Sequence, residues 1–310
     1  MAITAKQVKE LRDMTGAGMM ACKKALTETD GDFDKAIEFL REKGLAGAEK
    51  KAGRIAAEGI CATKISEDGK KGVVVEVNAE TDFVAKNEKF RSYVADVAAQ
   101  ALTTSAPDID AFLAEKWAQD PTETVAEALS REISIIGENM HIRRFKQIDE
   151  PNGVVVSYIH ADGKIGVLVD LETGVVNDAV LEMGKNVAMQ VAALKPKYTD
   201  RSEVDQDYLA HETEIITAAA KNEKPDANDK IISGMVQGRI NKELKEICLV
   251  DQVYVKAEDG KQSVQKYVDQ VAKENGTKIK VKGFVRFETG EGLEKKSENF
   301  AEEVAAQMKK

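Results

Sequence analysis

The chain has 310 residues, 43% of them hydrophobic and 32% charged, which supports packed cores with wetted surfaces and a length of two or three domains. A formal charge of -9 argues against a surface built for nucleic acid, because holding phosphates takes a field of Lys and Arg. No apolar run approaches the roughly 20 residues of a membrane span, and Met1-Ala2-Ile3-Thr4-Ala5-Lys6 lacks a hydrophobic signal core, so a cytoplasmic chain is expected.

At the N-terminus, Thr4 precedes a helical pattern with Val8, Leu11 and Thr15 on one face, ended by Gly16. Met19 to Glu28 and Phe33 to Lys43 predict two more helices, and the three together make a small module. From Gly44 to about Glu58 the chain is rich in Ala, Gly, Lys and Arg and predicts a mobile, partly helical connector, with a boundary near residue 55.

An internal repeat follows. Asp68-Gly69-Lys70-Lys71-Gly72-Val73-Val74-Val75-Glu76-Val77 matches Asp162-Gly163-Lys164-Ile165-Gly166-Val167-Leu168-Val169-Asp170-Leu171 at a shift of 94. The same shift pairs Gly59 with Gly153, Ile65 with Ile159, and Val97-Ala98-Ala99 with Val191-Ala192-Ala193. Each copy predicts a β-hairpin turning at Asp-Gly and then an Ala-rich helix, which implies antiparallel sheets in an α+β fold. Further strands are expected at Met140 to Ile148 and Lys278 to Phe287, the latter with Ile279, Val281, Val285 and Phe287 on a core face and Lys280, Lys282 and Arg286 on a wet one.

Between Tyr198 and Ile247 the period turns helical on both sides of Lys224-Pro225-Asp226-Ala227-Asn228, predicting a helical hairpin set into the second copy. Such a hairpin buries only one face alone, so it is expected to lean on a partner or on its twin. After Gly290-Glu291-Gly292, Phe300, Val304 and Met308 predict a short helix that needs a docking surface.

Motifs for chemistry are weak. Gly16-Ala17-Gly18-Met19-Met20-Ala21 has the G-x-G-x-x-A form but follows a helix rather than a strand. Asp30, Asp32 and Asp34 start like a calcium loop, yet Lys35 and Arg41 stand where Gly and Glu are needed, so they are expected as turn and helix-start residues. His141, His160 and His211 are scattered and have no Cys or His neighbours at zinc spacing. His160, at the tip of the second hairpin, reads as a solvated loop residue. Cys22, Cys61 and Cys248 lack C-x-x-C spacing and read as free buried thiols. No nucleophile elbow or phosphate loop occurs. A binding protein without a cofactor of its own is favoured over an enzyme.

Two features remain open on pattern. Met19 and Met20 either fill the three-helix core or form an adaptable contact surface, while Lys9 and Arg12, at i and i+3 on the first helix, read on their own as a solvated face. Phe83, in Thr81-Asp82-Phe83-Val84-Ala85-Lys86-Asn87, is either a local staple or an anchor offered to a partner. The corresponding turn of the second copy, Gly174-Val175-Val176-Asn177, has no aromatic, so the fold itself does not require Phe83.

The chain resembles bacterial elongation factor Ts from end to end. The resemblance rests on Val8-Lys9-Glu10-Leu11-Arg12, Thr15-Gly16-Ala17-Gly18-Met19-Met20, Cys22-Lys23-Lys24-Ala25-Leu26, Thr81-Asp82-Phe83-Val84-Ala85-Lys86, Ile136-Gly137-Glu138-Asn139, Ile142-Arg143-Arg144, Lys164-Ile165-Gly166-Val167-Leu168-Val169 and Gly283-Phe284-Val285-Arg286-Phe287. It implies a three-helix, ubiquitin-associated-like (UBA-like) domain and linker over 1–55, a core subdomain over 56–149, and a second over 150–198 and 248–290. It also implies a dimerising hairpin over 199–247 and a C-terminal helical module over 291–310.

The function it implies is guanine-nucleotide exchange on elongation factor Tu, as a homodimer or 2:2 complex or otherwise, with no direct nucleic-acid or membrane partner. Thr81, Asp82, Phe83 and Val84 would dislocate the partner's Mg2+, supported by the loop that holds Ile136 and Gly137. Arg12, Met19 and Met20 would meet the partner's nucleotide-binding domain, and His160 a second domain. The alternative is an adaptor that sequesters a translation GTPase without exchange. Residues 103–131 carry no block of the family and no assigned role.

Overall fold

The computed structural model describes residues 3–295. The helix expected on Phe300, Val304 and Met308 lies outside the described residues.

Helix α1 (Ala5–Thr15) starts at Thr4, whose hydroxyl accepts from Gln7 N while the Gln7 side chain accepts from Thr4 N. This reciprocal cap satisfies two otherwise orphaned amides. Helices α2 (Met19–Glu28) and α3 (Phe33–Glu49) complete a module cored by Val8, Leu11, Cys22, Ala25, Leu26 and Ala36. Gly16 ends α1 in the left-handed region and Gly18 caps α2, so the glycine pair is an interhelical turn. Asp32 caps α3, with Oδ1 accepting from Lys35 N at 3.1 Å, and Asp34 lies in its first turn.

Helix α3 runs six residues past the expected end at Lys43, into the stretch expected to be a mobile connector. A glycine inside a helix costs about 1 kcal/mol relative to Ala, yet Gly44 is buried against the 130–134 stretch, where a Cβ would meet Ser130 O and Ser134 Cβ at an ordinary contact distance of 3.8 Å. Tertiary packing outweighs propensity.

The chain continues through β1 (Glu58–Ile65), β2 (Lys71–Ala79), α4 (Asp82–Ala85), α5 (Glu88–Thr103), α6 (Ile109–Ala114), β3 (Lys116–Trp117), β4 (Asp120–Thr124) and α7 (Val125–Ile136). It then forms β5 (Met140–Asp149), β6 (Gly153–His160), β7 (Ile165–Thr173) and α8 (Asp178–Leu194). The hairpin of α9 (Gln206–Glu223) and α10 (Asp229–Ile247) precedes α11 (Val264–Glu274) and β8 (Ile279–Glu288). The fold is α+β, with antiparallel sheets ordered β1-β2-β5 and β6-β7-β8.

The repeat is exact in the strands. Gly59 pairs with Asn78 and Gly153 with Glu172; Ile65 pairs with Gly72 and Ile159 with Gly166. Both central strands bulge against their third strand at the same place, Glu76/Val77 and Asp170/Leu171.

The helices do not keep that shift. Asn87 caps α5 and Asn177 caps α8, 90 residues apart, and the buried Phe90, Tyr93, Val97 and Ala98 correspond at this spacing to Val180, Met183, Val187 and Ala188. The expected pairing of Val97-Ala98-Ala99 with Val191-Ala192-Ala193 is therefore one helical turn out of phase. The first copy carries four more residues between strand and helix, 80–87 against 174–177.

Each sheet carries its own helices. Phe90, Tyr93, Val94, Phe112, Trp117 and Ile133 bury the outer face of the first, and Met183, Val187, Leu249, Val264 and Val268 that of the second. The inner faces pack on one another through Val74, Val155 and Leu168, with Ile65, Ile148, Val285 and Phe287 around them. The expectation of one core face on β8 is not met: the bulge opposite Asp170/Leu171 leaves Ile279 and Val281 in the second sheet's outer core but turns Val285 and Phe287 to the inner cluster, and the Arg286 side chain, expected to be wet, is 7% exposed.

Two equivalent glycines set how closely the sheets approach. A Cβ on Gly72 would lie 2.6 Å from Val155 Cγ1, and one on Gly166 2.9 Å from both Cys61 Cβ and Val74 Cγ2. The three cysteines are free and buried.

Candidate functional site

The Thr81 to Val84 segment follows β2 directly. Thr81 is the N-cap of α4, its Oγ1 accepting from Val84 N at 3.3 Å. The single helical turn divides its side chains by environment. Val84 and Ala85 are 9% and 5% exposed and join the first sheet's core, whereas Phe83 is 81% exposed. The staple alternative is thereby excluded in the free chain. Asp82 is paired with Lys86, Nζ to Oδ2 2.7 Å, and the ammonium holds its carboxyl below the ordinary value of 3.8.

The Ile136–Asn139 loop lies directly behind this turn. Gly137, at φ 90°, ends α7 in the left-handed region that favours glycine, and Ile136 packs partly buried against the first core. The carboxylate of Glu138 then accepts from Thr81 twice, from N at 3.1 Å and from the hydroxyl at 2.7 Å. In the other direction Glu80 Oε1 accepts from Asn139 N at 2.6 Å. Asn139 Nδ2 donates to Arg54 O at 2.8 Å, so the loop also holds the end of the connector.

The Thr81–Val84 turn and the Ile136–Asn139 loop fall inside the match between residues 80–291 and the family model described as Elongation factor TS. The chain is 55% identical over 307 residues to an elongation factor Ts of Clostridium tetani, covering 99% of both chains. It is 54% identical over 309 residues to that of Clostridium botulinum strain Eklund 17B, covering 99% of this chain and all of the relative, and 53% identical over 307 residues to that of Clostridioides difficile, covering 99% of both.

The chain belongs to the elongation factor Ts family. It is accordingly a translation elongation factor, and the resemblance read from its motifs holds over nearly its whole length.

The other site residues expected from the elongation factor Ts resemblance lie on exposed surface. Met19 and Met20 are 53% and 77% exposed, so they do not fill the three-helix core, and Arg12 and Met14 are exposed as well. The loop before them reaches α7, since a Cβ on Gly16 would touch Ile135 Cδ1 at 3.4 Å. His160 ends β6 at the hairpin tip as expected, exposed, with Nδ1 3.0 Å from Tyr158 Oη. The following loop is a 3-10 turn, Ala161–Gly163, with Ala161 and Asp162 at positive φ.

Arg91 was not visible to sequence reasoning. Its guanidinium joins the end of the Phe83 turn, at Ala85 O, to Asp162 in the loop after His160. Nothing local signals a contact between residues so far apart in the chain. The unassigned stretch 103–131 supplies buried Phe112 and Trp117 to the first core. It also borders a cavity of about 630 Å³ lined by Met14, Leu40, Leu45, Trp117, Arg131 and Ile135. No helix among the described residues is long and apolar enough to cross a membrane.

Proposed function

We propose that this chain binds elongation factor Tu in its GDP form and accelerates GDP release by inserting the Asp82–Phe83 turn beside the nucleotide and dislocating Mg2+, after which GTP displaces the factor. The observation that carries this reading is Phe83: 81% exposed on a turn whose two following residues are locked in the core. A large apolar group held out by a rigid base suits a binding anchor. Met19, Met20, Arg12, Ile136, Gly137 and His160 supply the rest of the contact surface. The chain performs no covalent chemistry and needs no cofactor of its own.

Magnitudes divide the labour. A nucleotide bound at nanomolar affinity is held by about 12 kcal/mol, whereas burying one Phe yields roughly 1.5 to 3 kcal/mol. Phe83 alone does not expel it. The whole interface supplies the free energy, and the turn converts it where the ion neutralises phosphate charge. By linkage, factor and nucleotide weaken each other's binding by one common factor, so excess nucleotide in turn releases the exchange factor.

The domain division follows the resemblance: 1–55, 56–149, 150–198 with 248–290, the hairpin at 199–247 as the self-association element, and 291–310. Exposed Ile215 and Ile231 support a role for the hairpin in association. The decisive experiment is release of a fluorescent guanine nucleotide from elongation factor Tu, with the wild-type chain and with Phe83→Ala. The substitution should slow maximal release more than it weakens binding. Binding without acceleration would leave the sequestering adaptor instead.

A further inference from the structure

We propose that Glu138, with Glu80 as its counterpart, aims the Phe83 turn, acting as a positioning pair for the exchange reaction; this rests on the exchange reading given above. The two carboxylates form a reciprocal clasp just beyond the last rung of the β2–β5 ladder, Ala79 with Met140. Glu80 takes the amide of Asn139 and Glu138 takes the amide of Thr81, so side chains replace the next two backbone rungs.

The second bond from Glu138 has a directional effect. Because the Thr81 hydroxyl donates its proton to Glu138 Oε1, a lone pair is left facing Val84 N, the bond that closes α4. The cap that starts the helical turn is thus fixed from the neighbouring loop. A charge-assisted hydrogen bond is about twice as strong as a neutral one, and fixing the turn in the free chain removes an ordering cost from binding.

The repeat provides an internal control. At the equivalent of Ala79 and Met140, Thr173 pairs with Ile279, which places Gly174 opposite Glu80's position and Thr277 opposite that of Glu138. There is no carboxylate in either place. Val175 N is instead satisfied by Thr173 Oγ1 at 3.2 Å, and the chain enters α8 directly without the four additional residues. The scaffold closes this corner without a clasp. The clasp occurs only in the copy that carries the exposed aromatic.

The test compares wild type, Glu138→Ala, Phe83→Ala and the double variant in nucleotide release from elongation factor Tu, with Glu138→Gln as the milder substitution and thermal unfolding as the check on folding. Losing the charged hydrogen bonds should slow maximal release about tenfold, with the half-maximal concentration changed by less than about twofold, and Glu138→Gln intermediate. The double variant should match Phe83→Ala alone, because Glu138 acts only through the turn. In the free protein, amide hydrogen exchange at Thr81 and Val84 should quicken in Glu138→Ala and stay unchanged at Val175. Wild-type release by Glu138→Ala, or losses that multiply in the double variant, overturn the positioning role while the exchange reading stands. Failure of the wild-type chain to accelerate release overturns the exchange reading itself.

Discussion

Arg91 and Asp162 meet across 71 residues of sequence, a guanidinium nitrogen 2.7 Å from Asp162 Oδ2 and 3.0 Å from the Asp162 carbonyl oxygen. The Nε of the same group donates to Ala85 O at 3.0 Å. One planar fork therefore joins the base of the Phe83 turn to the hairpin loop that follows His160. Arg suits this task better than Lys because its donors point in fixed, divergent directions.

Removing that fork separates two parts of the proposed contact surface. Arg91→Ala should cost about 1 kcal/mol of stability, since the group is partly exposed. It should raise the concentration needed for half-maximal nucleotide release more than it lowers the maximum rate. Titrating release against factor concentration checks this, and an unchanged midpoint contradicts the shared frame.

Phe83 and Phe112 should respond oppositely to truncation. Phe83 makes little of the folded protein's packing, so Phe83→Ala should change unfolding free energy by no more than about 0.5 kcal/mol. Phe112 is fully buried against the first sheet, and Phe112→Ala should cost about 3 to 5 kcal/mol. Urea unfolding of the two variants decides, and a large loss with Phe83→Ala would mean the side chain finds cover within the free chain.

Glu76 is buried and receives Arg143 at 3.0 Å, Arg144 Nε at 2.6 Å, Asn78 Nδ2 at 3.1 Å and Gly290 N at 2.8 Å. Glu76→Ala leaves two guanidinium groups without their buried counter-charge and should cost about 3 to 5 kcal/mol. Glu76→Gln keeps an acceptor and should lose less. Denaturant midpoints of both variants measure this, and equal losses would show that the carboxylate's charge is immaterial.

Asp170, at the bulge equivalent to that of Glu76, is pushed up to about 7 by burial and by the neighbouring Glu150. Glu150 is itself held below the usual carboxylate range: burial opposes this, but the Lys282 ammonium 2.8 Å away prevails. Glu172 adds like charge and Lys282 opposes it. The folded protein therefore keeps a proton on Asp170 that the unfolded chain releases near 3.8. Between those two values the native state binds more protons, so rising pH removes stability through this group. Asp170→Asn should gain on wild type between about pH 5 and about pH 8 in urea midpoint. A constant difference across that range would rule out the titration.

The duplicated strands were legible because a fixed shift recurs in both hydrophobic pattern and turn residues, and Gly59 with Gly153 fall on the same rung in each sheet. The first two helices were legible from caps and period. The end of α3 was not, since Gly44 and Gly47 lower local propensity and the burial of Gly44 against Ser130 and Ser134 of α7 is visible only in the fold. Helix α11 was passed over although Ser263 caps it and Val264, Val268 and Val271 mark its face. At the candidate site, Phe83 stood out through its asymmetry with the second copy. Its exposure is visible only in the fold, and the contacts of Thr81 with Glu138 and of Arg91 with Asp162 span 57 and 71 residues, too far for local pattern to announce them.

A wedge works only when it is stiffer than what it enters. Val84 and Ala85 are seated in a core shared with Phe90, Tyr93 and the central strand, and that strand's inner face rests on the second sheet through Val74. Pressure on Phe83 along the turn would thus be carried by both sheets rather than by a loop. A turn anchored in this way keeps its shape under load, so in the proposed encounter the adjustment would fall on the surface that it meets.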